Sequence, residues 1–207
     1  MSAADLVATV GTRFPVVTAR PSGDCPAFDV PADVLLDFLR CLRDVAGYDL
    51  LTDVSGIDWG VDQSPRFGVA YHLLSLASHE LVRVVTLCSA SEPPRVPSAV
   101  PLWPAADWHE REAFDMFGIR FEGHPDLRRI LMWDEYPHFP LRKDFPLAGI
   151  DTPLPDEEVA AETGARVLPA PMAGGPFVAP QGEDYVRDRE PRARDESWNE
   201  RDPKPGN

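Results

Sequence analysis

Two neighbouring runs, RFGVAYHLLSL (residues 66–76) and LVRVVTLC (81–88), set the strongest constraint on how this chain can fold. Both are rich in β-branched and aromatic residues. Only ASHE (77–80) separates them, a spacing that predicts a hairpin. Side chains alternate between the two faces of a strand. Apolar residues stand at odd and even positions in both runs, so both faces of the sheet are expected to be covered. One cover is close by in PADVLLDFLRCLRDVAG (31–47). Val34, Leu35, Phe38, Leu39, Leu42 and Val45 form one stripe at helical spacing, with Pro31 suited to the first turn and Gly47 to the stop. The other face needs a second layer or a partner chain.

Further strands are expected in RFPVVTAR (13–20), after a short N-terminal helix, in AFDVP (27–31), and in YDLLTDVSGIDWG (48–60). SEPPRVPSAVPLWP (91–104) holds five prolines, so it reads as a rigid connector rather than strand or helix interior. WHEREAFDMFG (108–118) is the next helix, ended by Gly118. Residues 119–149 read as short elements and turns with aromatic and basic residues interleaved. Beyond Ile150 the character changes. Residues 151–207 hold nine prolines, few large apolar side chains and an acidic excess, with one turn of helix possible near PDEEVAAETG. Such a segment cannot bury enough surface to fold by itself. The organisation is therefore a domain over 1–150 and an extended, proline-rich acidic tail over 151–207, either disordered or laid on another protein. Tyr185 and Trp198, isolated among polar residues, favour the second.

The net charge of −14 opposes binding to phosphate backbones, so nucleic acid is not an expected partner. No basic cluster suits anionic lipid, and no run approaches the ~20 apolar residues of a membrane helix. MSAADLVATVGTRF lacks the cationic start and apolar run of a secretory signal. Cys25, Cys41 and Cys88 are dispersed and form no CxxC, so a thiolate-held cluster or zinc site is not expected.

The helix over 108–118 concentrates the chemistry. At 100° per residue, Glu110 shares an apolar face with Ala113, Phe114 and Phe117, while Trp108, Arg111, Glu112 and Asp115 share the opposite one. A carboxylate on an apolar face is costly unless paired. Arg111 can reach Asp115 at i+4, and Glu112 repels Asp115 at i+3. Three acids against one arginine demand cations from elsewhere. Arg128, Arg129, Arg142 and Lys143 are the nearest in sequence, and a partner subunit is another source. The two glutamates face different ways, which removes a glycosidase-type pair. A metal site on His109, Glu112 and His124 or Asp126 lacks HExxH-like spacing. There is no nucleophile elbow, GxGxxG or P-loop. His124 precedes a proline and reads as a turn histidine bonding backbone rather than a ligand. Arg142 and Lys143, in the stiff PLRKDFPL, are either solvated or paired to acids across a contact.

EREAFDMFGIRFEGHPDLRRIL (110–131), with PLRKDFPLAG (140–149), LLTDVSGIDW (50–59), FGVAYHLLSL (67–76) and VPSAVPLWPAADWHERE (96–112), resembles the C subunit, or thirty-kilodalton subunit, of respiratory complex I, the NADH-quinone oxidoreductase. The likeness covers about residues 30–150. It departs before PLRKD, where the family has glycine-histidine and this chain has His138 and Phe139. The resemblance implies an α+β fold, a two-layer domain whose mixed β-sheet is covered by helices. It implies a peripheral-arm subunit without a redox cofactor of its own, FMN and iron–sulfur clusters being held by partner subunits. It places the chain beside the large, forty-nine-kilodalton-type quinone-module subunit (the D subunit) and neighbouring iron–sulfur subunits. The setting is the cytoplasmic side of the plasma membrane, touched only through the complex. That complex passes electrons from NADH to quinone and couples this to proton translocation. Glu110, Arg111, Glu112, Asp115, His124, Arg128, Arg142, Lys143 and Asp144 are then expected to form an ion-pair network, within the chain or across a contact. The alternatives are the equivalent subunit of a membrane-bound hydrogenase or a ferredoxin- or F420-linked dehydrogenase, and a stand-alone metal-dependent hydrolase.

Overall fold

The computed structural model describes residues 12–146, 150, 152 and 156–163. Two units divide the chain, Met1–Asp144 and Phe145–Asn207. In the first unit, strands β1 (Thr18–Arg20), β2 (Ala27–Asp29), β3 (Leu50–Asp58), β4 (Phe67–Leu74) and β5 (Leu81–Leu87) build one mixed sheet in the order β1-β2-β5-β4-β3. The β4–β5 pair is the expected hairpin, and β3 extends it antiparallel. The chain then crosses over: β2 pairs parallel with β5, and β1 pairs antiparallel with β2. Helix α1 (Leu35–Asp44) lies between β2 and β3, long enough to return the chain to the far edge of the sheet.

Register shows which face is the core. Val54, Tyr71, Val84 and Phe28 are cross-strand partners and therefore stand on one face. The Phe28 ring meets Phe38 of α1 edge-on at 5.7 Å between centroids. On the same face, a Cβ at Gly56 would meet the Phe117 ring at 2.5 Å, so helix α2 (Ala106–Phe117) packs directly on β3. Both helices thus cover one face, giving the two-layer α+β fold. Leu35, Phe38, Leu39 and Leu42 of α1 are fully buried there.

The opposite face departs from the expectation of full cover. Ala70 and Val85 are buried on it, but Leu81 and Leu87 are about half exposed and a polar row crosses it. In that row Asp53 contacts His72 Nδ1 at 3.3 Å, and Arg83 Nε donates to His72 Nε2 at 2.8 Å. The two-sided apolar pattern arises because Gly68 and Ala70 are small and the Trp59 indole folds beside Gly68.

The proline-rich connector also departs from expectation. Arg95–Pro97 forms a short strand, β6, parallel to β7 (Arg120–Glu122). A three-residue edge strand tolerates proline because only one side of its backbone must be bonded. This pairing brings Ser98 and Ala99 back against the middle of α2.

The helix expected near the N-terminus lies outside the described residues, apart from Thr12, which is helical; Arg13, expected to open the strand RFPVVTAR, is helical too, and the strand forms only over Thr18–Arg20. The tail over 151–207 likewise lies outside them except for Thr152 and residues 156–163. There Glu157–Thr163 form helix α3, in the stretch where a turn of helix was expected, with Ala160 N–H on the Asp156 carbonyl. No helix of the described residues is long and apolar enough to cross a membrane.

Candidate functional site

Helix α2 runs along β3, with Phe117 on Gly56 at one end and His109 Nδ1 3.7 Å from Asp53 at the other. Helix residues rise less than half as far along their axis as strand residues do, so the eight steps from His109 to Phe117 match the three from Asp53 to Gly56. Gly118 closes the helix in a left-handed conformation at φ 76°, its N–H on the Phe114 carbonyl.

Glu110 lies on the sheet side with 0% exposure. It does not join an ion pair with any described residue, which corrects the network drawn for it. Ser98 Oγ donates to one carboxyl oxygen at 2.7 Å and Ala99 N–H to the other at 2.6 Å. A long cationic side chain would itself have to be buried here, whereas the connector delivers two compact donors. Burial pushes the Glu110 carboxyl up to about 7; these two bonds only partly oppose it, and the nearby Asp107 charge adds to it.

Asp115 is equally buried but differently held. Its Oδ2 accepts the N–H groups of Ile130, Leu131 and Met132 at 3.0, 2.7 and 2.8 Å. Its Oδ1 pairs with Arg129. Burial alone would raise this carboxyl, but the three amides and the guanidinium hold it below its ordinary value. Arg129 also donates to the carbonyls of Tyr136 at 2.6 Å and His138 at 3.1 Å. One ion pair therefore fixes both arms of the 128–138 loop. Arg111 does not take the i+4 pairing with Asp115. It turns to the loop carbonyls of Arg128 and Arg129, at 3.2 and 3.1 Å, while Asp107 stands 3.9 Å away, one turn back.

The downstream segment is fastened in the same manner. Arg142 donates to the Phe117 carbonyl at 2.7 Å, satisfying an end group of α2, and reaches Glu92 at 3.3 Å. Its guanidinium lies over the Phe67 and Phe139 rings, at 4.9 and 4.4 Å from their centroids. The Lys143 contribution comes from its backbone: its N–H bonds Asp58 at 2.8 Å while the side chain is exposed. Asp144 pairs with Arg66 at 2.6 Å, and Arg66 pairs again with Asp58 at 2.6 Å. Burial works to raise Asp58, yet Arg66 and the amides of Lys143 and Gly60 bring it down to about 2. His124 lies under the chain turn, with Nδ1 accepting the Asp126 N–H at 3.0 Å and Nε2 3.3 Å from the Asp107 carbonyl.

Glu112 and Arg128 point outward. Among the described residues the Arg128 guanidinium pairs with the equally exposed Asp126, at 2.8 Å, and none bonds Glu112. His109, Glu112 and His124 are not brought together, and among the described residues no three His, Cys, Asp or Glu side chains converge as metal ligands. Chemically, the buried carboxylates act as acceptors for main-chain amides, a geometry that fixes loops.

Sequence reasoning missed Ser98, Asp58 and Arg66. Ser98 had no detectable signal, because its role depends on the β6–β7 pairing. Asp58 had one: an aspartate two residues before a glycine favours a turn in which the carboxylate accepts the later amide, as Gly60 N–H does at 2.9 Å.

The family model for the respiratory-chain NADH dehydrogenase 30 Kd subunit matches residues 28–151. The NADH-quinone oxidoreductase C 2 subunit of Rhizobium meliloti (strain 1021) is 50% identical over 125 residues, 59% of this chain and 67% of that protein. The C subunit of the same oxidoreductase from Moorella thermoacetica is 44% identical over 134 residues, 65% of this chain and 88% of that protein. Among solved structures, a trypsin-resistant fragment (1-134) of Nqo5 superposes with a TM-score of 0.52 at 28% identity, over 61% of this chain and 100% of the fragment.

Proposed function

The chain belongs to the 30 Kd subunit family of respiratory-chain NADH dehydrogenase, and we propose that it serves as a non-catalytic assembly subunit in the peripheral arm of an NADH:quinone oxidoreductase. In this reading FMN and the iron–sulfur clusters sit in partner subunits. Electrons pass there from NADH to quinone, coupled to proton translocation. The chain holds no cofactor and works by keeping its neighbours in register, chiefly the large quinone-module subunit and adjacent iron–sulfur subunits. It reaches the cytoplasmic face of the membrane through them. The tail beyond residue 150 serves to bind a partner subunit.

The observation that carries this reading is the use made of the charged residues. Asp115, Arg129, Arg111 and Asp58 all bind backbone groups of the segment 128–143. This is how a surface is held in shape. Purification through a tag on the full chain tests the reading. Co-elution with subunits bearing flavin and iron–sulfur absorbance is the expected result. Elution alone, near 22.9 kDa and without such absorbance in any associated fraction, overturns it.

A further inference from the structure

The side of α2 turned away from the sheet is covered at Arg111 and Asp115 by the 128–132 segment, but Trp108 remains 65% exposed and Leu131 63%. Arg111 links the two positions. The Trp108 ring lies 5.4 Å from the Arg111 guanidinium, and that guanidinium bonds the carbonyls of Arg128 and Arg129. Leu131 is set at the other end by its N–H on Asp115. Glu112, four residues along the helix from Trp108, and Arg128, three residues before Leu131, are exposed and oppositely charged.

We infer that Trp108 and Leu131, framed by Glu112 and Arg128, form the anchor by which this chain docks on a different polypeptide subunit, one offering an apolar pocket with a cation and an anion at its rim. The inference rests on the subunit reading above. Three properties select such a partner. First, the backbone beneath the anchor is immobilised: the carbonyls of 128 and 129 and the amides of 130, 131 and 132 all bond buried side chains. Little ordering entropy is then lost on docking. Second, an exposed tryptophan with an arginine guanidinium 5.4 Å from its ring pairs two of the residue types enriched in interface hot spots. Third, adjacent charges of both signs suit a protein surface, whereas an anionic lipid or nucleic acid would be repelled by a chain of net charge −14.

The test places the photoreactive residue p-benzoylphenylalanine at position 108 in the assembled enzyme, with position 87, on the uncovered sheet face, as a comparison. Cross-linking from 108 to an identified peptide of another subunit is expected. Cross-linking only to lipid, only to a second copy of this chain, or to nothing in an otherwise intact enzyme overturns the docking surface and leaves the subunit reading standing. If the tagged chain brings down no other subunit, the subunit reading itself fails. As a companion, the double variant Trp108→Ala, Leu131→Ala should unfold at the same temperature as the parent yet be retained by the enzyme roughly 30-fold less tightly. Unchanged retention of the folded variant also overturns the anchor.

Discussion

Glu110→Gln isolates one buried proton. In the folded chain the Glu110 carboxyl is pushed up to about 7 from an ordinary 4.5, because it is sealed from water with one hydroxyl and one amide as its donors. The unfolded chain loses this proton near pH 4.5, while the folded chain keeps it until about pH 7. Between those values the folded state binds more protons, so stability falls as pH rises. Glu110's contribution is fully present below 4.5 and has gone above about 7. The gap, at 1.36 kcal/mol per pH unit, corresponds to ~3 kcal/mol.

A glutamine at 110 copies the protonated acid. Its carbonyl can accept the Ala99 N–H, its amide can donate to a rotated Ser98 hydroxyl, and it does not titrate. Urea unfolding of the full chain, followed by tryptophan fluorescence, should therefore give parent and variant nearly equal stability at pH 5. At pH 8 the variant should be the more stable by ~3 kcal/mol. Asp58 and Asp115 are held below their ordinary values, so their contributions are lost only in acid and cancel in the difference. A difference that does not change between pH 5 and 8 would refute the reasoning. So would a glutamine variant weaker at pH 8, which would mean that Ser98 and Ala99 are organised to hold an ionised carboxylate.

Three further outcomes are expected. Asp115→Ala leaves three amides without their acceptor and the Arg129 guanidinium without its counter-charge, and should cost ~3–5 kcal/mol in urea unfolding, with new protease cleavage in 126–138. Gly118→Ala must hold φ 76° and would bring a Cβ to 2.7 Å from Arg142 Nη2 and 2.8 Å from Phe139. It should cost ~1–3 kcal/mol by thermal unfolding, more than Gly123→Ala, where φ is also positive but nothing lies within 4 Å. Asp58→Asn should be weaker than the parent at neutral pH, with ~2 kcal/mol of that difference disappearing as pH falls from 3.8 through about 2. Acid titration of both chains by circular dichroism checks the convergence.

Periodicity carried much of the fold. The α1 stripe was legible because Leu35, Phe38, Leu39 and Leu42 are apolar and meet an apolar sheet; only Val45, at the fraying end, stays 59% exposed. Helical geometry likewise put Glu110 and Asp115 on opposite sides of α2. What it could not show was that both sides are buried. The cover over Asp115 is a loop that contributes main-chain amides, and amides leave no trace in a hydropathy pattern. The Arg111–Asp115 pair was legible by spacing but does not form, because the same loop offers Arg111 two carbonyls and Asp115 three N–H groups. Asp144, 78 residues from Arg66, is joined to it only by the tertiary fold.

The density of acids in WHEREAFDMFG then has a physical explanation that catalysis is not needed to supply. A buried ion pair gives little net stability compared with apolar residues of similar volume, because both charges must leave water. Its gain is geometric. An apolar contact beneath the 128–132 loop would tolerate a slip of one residue, since any amide fits against a methyl group. Asp115 tolerates no such slip, because three consecutive N–H groups must converge on one oxygen while Arg129 reaches the other. Each acid of α2 thereby takes a separate task. Glu110 ties the helix to the connector, Asp115 fixes the loop, and Glu112 faces solvent beside the Trp108 anchor. A shift of the 128–132 register would move Leu131 and Arg128 relative to α2, so the buried pair sets where these exposed side chains stand.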